Sequence, residues 1–257
     1  MPTDVNMIEK ALVSHHEYVR NLGYTPVMTV LIGCPNYGLD IPGSRYDTYT
    51  FTLPTLWGIA TGHEFAESAH VDEHGRIIIK NIRPALTILQ SMSLYPAPIE
   101  WFAGKYRYVE PEFKTLVDRI TAQTLRCSAK GMLDGAEYIA HKRRDSRVTL
   151  GERLCQILRM ECMTRKYFDL NADILELDEP QRTLAQKAML DPKNRKWQNV
   201  CTEHATQVDK LIQKYREVKP FTQAFEENAR RQIEDLQVEL VRLAVARNES
   251  TPREAKG

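Results

Sequence analysis

LIGCPNYGLDIPGSRYDTYTF, residues 31–51, carries an apolar run through a glycine and proline turn into an alternating segment. The run that ends at its start, VMTVLI after Pro26, is short and rich in β-branched residues, and it reads as a buried strand stopped by Gly33. Beyond the turn, Tyr46 to Leu53 (YDTYTFTL) alternates aromatic or aliphatic residues with Asp and Thr. That pattern predicts a strand with one buried face, with Asp47 and Tyr49 on the same side. A strand, a glycine turn with a short helix start, and a strand with spaced acids is a layout that seats a nucleoside triphosphate beside a divalent metal. Backbone N–H groups at the turn hold phosphate oxygens, and carboxylates on the second strand hold the metal that bridges them. Here Arg45 stands where such chemistry wants a carboxylate.

Upstream, Ile8, Leu12, Val19 and Leu22 recur at near-helical spacing, predicting an amphipathic helix from Asp4 to Leu22 with Gly23 as its stop. His15 and His16, near the end of that helix, read as surface or half-buried residues favoured by the helix dipole. Downstream, HEFAESAHV and RIIIK flank the turn residues DEHG, which predicts a β-hairpin. Beyond about Pro111 the pattern becomes helical. Leu150, Leu154, Ile157, Leu158 and Cys162 trace one helix face, and another helix starts behind DEP and runs from Leu177 to Ala188. The last long element, Phe221 to Val245, places Phe225, Ala229, Ile233, Leu236, Leu240 and Leu243 at spacings of four and three. Such a stripe packs on its own core or, being close to a heptad, pairs with a second chain to make a dimer. The polar end NESTPREAKG is expected to be disordered.

These elements predict an α+β chain: a small mixed sheet with helices over residues 1–110, an all-helical lobe over 111–248 and a tail over 249–257. With 257 residues there is room for two such lobes. A net charge of +1 supplies no overall field selecting nucleic acid or anionic membrane. No apolar run of about 18 residues is present, and MPTDVNMIEK lacks the features of a secretory signal, so the expectation is a cytoplasmic protein without a membrane partner. The five cysteines (Cys34, Cys127, Cys155, Cys162, Cys201) are odd in number and contain no CxxC pair, which predicts reduced thiols mostly in the core.

Residues 31–51 resemble the signature of the polymerase-β-like nucleotidyltransferase superfamily, and within it the predicted nucleotidyltransferases of bacteria and phages associated with RNA repair. The first motif of that family is Gly-Ser-x-x-Tyr-Gly, followed by a proline and Ser-Asp-x-Asp. Gly33, Tyr37, Gly38, Leu39, Pro42, Ser44 and Asp47 fall on it in register. Downstream, YPAPIEWF resembles the family's Asn-Pro-x-x-x-Glu segment at Pro96 and Glu100, and GERLCQILRM resembles its basic-apolar helix; the likeness runs loosely from about residue 28 to 190. The resemblance implies a nucleotidyltransferase lobe, an NTP ligand, Mg²⁺, and phosphate contacts from Gly33, Cys34, Tyr37, Gly38 and Ser44, with Asp47 as the catalytic, metal-binding acid.

Two departures qualify that expectation. Cys34 replaces the family's serine, and a thiol is the weaker hydrogen-bond partner for phosphate. Arg45 replaces the first metal-binding aspartate and brings a cation that cannot be deprotonated, though it is well shaped to pair with phosphate. RIIIK supplies no third acid, and Glu64 and Glu67 on the preceding strand are the candidates to stand in for it. His63, His70 and His74 gather near Glu64, Glu67, Asp72 and Glu73, but without a familiar zinc spacing. Asp47 and Arg45 could equally form a plain ion pair.

The reading that follows is a catalytically impaired nucleotidyltransferase-like protein that binds a nucleotide, RNA or a protein partner through a retained cleft. The alternatives are an active Mg²⁺-dependent transferase of nucleoside monophosphate to RNA, protein or a small molecule, and a structural subunit whose working surface is the C-terminal helix. For RNA the candidate contacts are Lys142, Arg143, Arg144 and Arg147, with Lys193, Arg195 and Lys196 beside Trp197 as a second basic group next to an aromatic ring.

Overall fold

The computed structural model describes residues 5–39, 46–62, 67–91, 97–126, 128–142, 148–171, 173–220 and 222–250, the side chains of 91 and 248–250 excepted. The chain begins with α1 (Val5–Asn21), β1 (Pro26–Leu31) and a 3-10 turn at Cys34–Tyr37, and then forms β2 (Thr48–Thr52). α2 (Leu56–Thr61), β3 (Glu67–Val71), β4 (Arg76–Asn81), α3 (Ile82–Ser91), α4 (Ala97–Ala103) and β5 (Arg107–Val109) follow. Every later described element is helical: a 3-10 turn at Pro111–Phe113, then α5 (Lys114–Thr124), α6 (Ala129–His141), α7 (Leu150–Phe168), α8 (Glu179–Leu190), α9 (Trp197–Tyr215) and α10 (Gln223–Ser250). No helix among the described residues is long and apolar enough to cross a membrane.

The strands form one mixed sheet in the order β3-β4-β2-β1-β5. β2 runs parallel to β4, while β1 is antiparallel to both β2 and β5. β3 and β4 make the expected hairpin, and the Asp72 carboxylate accepts the amides of His74 and Gly75 to close its turn. The parallel β2/β4 pair requires a crossover, which α2 and the edge strand β3 provide.

Both faces of the central strands are covered, which corrects the expectation of a single buried face on β2. Thr48 and Thr50 are fully buried beneath α1, while Phe51 on the opposite face meets Trp101 and Phe102 of α4 at ring-centroid distances of 6.0 and 5.3 Å. Threonine is tolerated under α1 because its hydroxyl finds partners there. Thr29 Oγ1 and Thr50 Oγ1 lie 2.9 Å apart, and His16 Nδ1 is 3.0 Å from Thr29 Oγ1.

The two histidines are not surface residues: His15 and His16 are both 0% exposed. His15 reaches Thr48 Oγ1 through Nδ1 (2.8 Å) and Asp72 Oδ1 through Nε2 (3.2 Å), and His16 Nε2 reaches Glu110 Oε2 at 3.0 Å. A neutral imidazole fits both sites, donating Nε2–H to the carboxylate and accepting the threonine hydroxyl at Nδ1. Burial lowers both pKa values, against the pull of Asp72 on His15 and of Glu110 on His16.

One hydrophobic core runs from the sheet (Met28, Val30, Phe51) through α3, α4 and α5 into α6, α7, α9 and α10. It holds buried Cys155, Cys162 and Cys201 as free thiols. The α10 stripe is part of it: Ala229, Ile233, Leu236 and Leu240 are at most 2% exposed, packed with α3 and α5. That face is packed against the chain itself, the first of the two readings of the stripe; Phe225, at its near end, is exposed.

Candidate anion-binding turn and the adjoining sheet face

Ile32 donates its amide to Asp47 O (2.9 Å), and the chain leaves the sheet at Gly33. Gly33 adopts φ 88°, ψ −152°, a conformation open essentially to glycine alone. This points its N–H away from the ladder, and the group donates to Glu100 Oε1 of α4 at 2.6 Å. Pro35 starts the short helix, and Gly38 ends it in the left-handed region (φ 69°).

Tyr37 of this turn is 1% exposed. The guanidinium of Arg159, from α7, stacks over its ring at 3.4 Å from the centroid and bonds its hydroxyl. The same guanidinium lies 3.5 Å from Glu100 Oε2. Burial, opposed by Arg159, pushes the Tyr37 phenol far above its usual range, so it stays protonated while accepting from Arg159. Burial likewise raises the Cys34 thiol, again against Arg159, which leaves it a poor nucleophile near neutral pH. A cavity of about 210 Å³ opens beside this cluster, lined by Tyr37, Glu100, Gln156 and Arg159 and by the apolar Ala97, Ile139, Met160 and Met163.

Asp47, at the same end of the sheet, accepts the Arg76 amide at Oδ1 (2.9 Å) and faces the Arg76 guanidinium at 3.6 Å. The expected plain ion-pair partner, Arg45, lies outside the described residues, as do Pro42, Ser44, His63, Glu64 and Pro96. Glu67 begins β3 opposite Lys80, and its carboxylate pairs with the Lys80 ammonium at 2.7 Å. That ammonium also sits 5.0 Å from the ring centroids of both Tyr49 and Trp101. Four strand positions separate Lys80 from Arg76 beside Asp47. The backbones of Asp47 and Glu67 therefore stand about 13 Å apart along the strands and about 10 Å apart across them. Carboxylates so placed do not close on one Mg²⁺, whose oxygen ligands lie at about 2 Å. The donor set of Asp47 and Glu67 thus does not fit the ion, and β4 presents a lysine on the face where a further acid was sought.

The basic segments separate. Lys142 is exposed at the end of α6, its carbonyl accepting from Arg153, and Arg143, Arg144 and Arg147 lie outside the described residues. Lys193, Arg195 and Lys196 are exposed, but Trp197 is 4% exposed, donates its indole N–H to Asp191 O (2.8 Å) and is covered by Lys196. It offers no free face to a nucleobase, which corrects the stacking role expected of it.

The structure places Gly33, Cys34, Tyr37 and Gly38 in one turn and sets Arg159 beside it, while Lys80 lies on the sheet face with Tyr49 and Trp101; the sequence did not disclose the part of either cation. Arg159 was one basic residue in an apolar helix, and Lys80 one among several on a hairpin. A cation at a position otherwise calling for an apolar side chain is the only local sign of Arg159, which follows Ile157 and Leu158 and precedes Met160. No family model matches this chain, and no curated protein matches it.

Proposed function

We propose that this chain is a nucleotidyltransferase-like protein that binds a nucleotide at the Gly33 turn and does not transfer it. The observation that carries the reading is the Gly33 N–H, turned out of the sheet and already holding an anionic group, next to a sheet face on which the acids among the described residues, Asp47 and Glu67, are each paired with a cation. An N–H so placed, with the guanidinium of Arg159 beside it, is suited to a phosphate oxygen. Transfer needs carboxylates to hold Mg²⁺ against that phosphate. Asp47 is engaged by Arg76, and Glu67 is committed to Lys80. On this reading residues 1–110 are the nucleotidyltransferase-like lobe, and the helical lobe over 111–248 lends it Arg159. Arg45, by its place in the motif, adds cationic character that favours binding over turnover.

Calorimetric titration of ATP, GTP, CTP and UTP, with and without Mg²⁺, tests the proposal alongside an incorporation assay with α-labelled triphosphates. Binding that persists in EDTA, with no label transferred to RNA or protein, is the expected result. Incorporation that requires Mg²⁺ or Mn²⁺ and disappears in Asp47→Asn would establish the transferase instead. Failure of all four nucleotides to bind would remove the nucleotide from the reading.

A further inference from the structure

The Glu100 carboxylate is the one anion held by the glycine turn, and its surroundings have the form of a ligand site. The donors converge on it from separate parts of the chain: the Gly33 amide at 2.6 Å and the Arg159 guanidinium at 3.5 Å. A carboxylate and a phosphate present similar oxygens to such donors, and a guanidinium serves either. Glu100 is not sealed in. It sits in the first turn of α4, its side chain 16% exposed and lining the cavity. The Arg159 guanidinium, whose side chain is 25% exposed, is stacked on the buried Tyr37 ring and bonds its hydroxyl. The apolar wall of Ala97, Ile139, Met160 and Met163 continues from the slot and suits the base or sugar of a ligand better than a bare inorganic anion.

We propose that Gly33 N–H and the Arg159 guanidinium, held on the Tyr37 ring, form the slot for a phosphate group of a nucleoside triphosphate, and that Glu100 occupies this slot until the nucleotide displaces it. The inference rests on the nucleotide-binding reading above and deepens it by naming the contact residues and a competing internal anion. The competition has a consequence: the parent protein binds more weakly than its donors allow, because each binding event must first break the Glu100 contacts.

The test is calorimetric titration of the nucleoside triphosphates into the parent, Glu100→Gln, Arg159→Met and the double variant. Glutamine keeps the size and the acceptor for Gly33 N–H but removes the charge. Glu100→Gln should tighten binding at least about tenfold, the effect of relieving one repulsive contact of about 1.4 kcal/mol between like charges in a partly buried site. Arg159→Met should weaken binding at least about tenfold and abolish the gain in the double variant. Glu100→Asp, which retains the charge but draws it back by one methylene, should also tighten binding and serves as the second variant if glutamine disturbs folding. Parent binding that is unchanged or weakened by both Glu100 substitutions would overturn the slot while leaving nucleotide binding in place. No binding by the parent or by either Glu100 variant would overturn both.

Discussion

Lowering the pH should destabilise this protein through two buried histidines before its carboxylates matter. His15 and His16 are fully buried and are held below their ordinary value of 6.5, burial being the leading cause in each case. In the unfolded chain both titrate near 6.5. Between that value and the lower folded one, the unfolded state therefore binds more protons than the native state, so stability rises with pH there and falls as the medium is acidified. A group that stays neutral in the fold contributes a slope approaching about 1.4 kcal/mol per pH unit. Integrating the unfolded-state titration from pH 6.5 to 5.5 gives about 1 kcal/mol for each histidine, and about 2 kcal/mol as the ceiling for the pair. The surrounding groups do not cancel this effect. Asp72, His74 and Asp47 face His15, and Glu110, Arg20 and Glu17 face His16. Asp72 is itself held low: burial acts to raise it, but the amides of Gly75 and His74 and the His15 ring outweigh burial. Its stabilising effect is present above 3.8 and is lost only as the pH falls through its lowered folded value. His204 has the opposite sign. Its hydrogen bond to Glu161 raises its pKa, so that contribution is complete below 6.5 and is lost as the pH rises through the folded value. At pH 6.5 the two buried histidines together still give a rising slope of up to about 1.4 kcal/mol per pH unit against at most about 0.7 from His204, so stability should peak above pH 6.5. Urea denaturation followed by tryptophan fluorescence at half-unit steps from pH 5 to 8.5 measures the curve. His15→Gln and His16→Gln should each remove about half of the acid-side slope. A stability that is flat or increasing from pH 6.5 down to 5.5, or a slope unchanged by both substitutions, would refute the reasoning.

Leu240→Ala empties a fully buried position on α10 and should cost about 2–5 kcal/mol in urea unfolding, independent of protein concentration. A loss that grows on dilution would instead place that face in a dimer. Gly151→Ala puts a Cβ 2.3 Å from Ala188 O and 2.7 Å from the Pro192 Cα, backbone atoms that cannot turn aside. The usual helical gain of alanine over glycine, about 1 kcal/mol, should therefore be reversed to a net loss of about 1–3 kcal/mol in the same assay. Thr149→Ala removes the capping box in which Thr149 Oγ1 accepts the Glu152 amide and Glu152 accepts the Thr149 amide, and should cost about 1 kcal/mol.

Much of the scaffold was legible along the chain because its signals are local. Gly23 and Gly33 end the first helix and first strand where expected, the DEHG turn makes its hairpin, and the chain is mixed α and β as its periodicities indicate. Those features depend on periodicity, turn chemistry and β-branching over a few neighbouring residues. Part of the candidate site was legible for the same reason: Gly33, Cys34, Tyr37 and Gly38 lie within six consecutive residues whose spacing builds the turn. What covers each element was not legible. His15 and His16 carry a polar signature in the sequence, and the hydroxyls and carboxylates that make their burial tolerable lie 13 to 94 positions away. A pattern read over one helix cannot contain them.

The same division separates the turn from its occupant. The sequence by itself determined that residue 33 is a glycine leaving a strand, that a buried-type aromatic follows at Tyr37, and that Arg45 breaks the acidic pattern before Asp47. Only the tertiary structure decided that α4 delivers Glu100 onto the Gly33 amide, that α7 lays Arg159 on a ring 122 residues earlier, and that β4 sets Lys80 between Tyr49 and Trp101. Backbone conformation follows from short-range sterics and therefore from neighbouring residues, whereas the charge balance of a site depends on which distant side chains packing brings within a few ångströms.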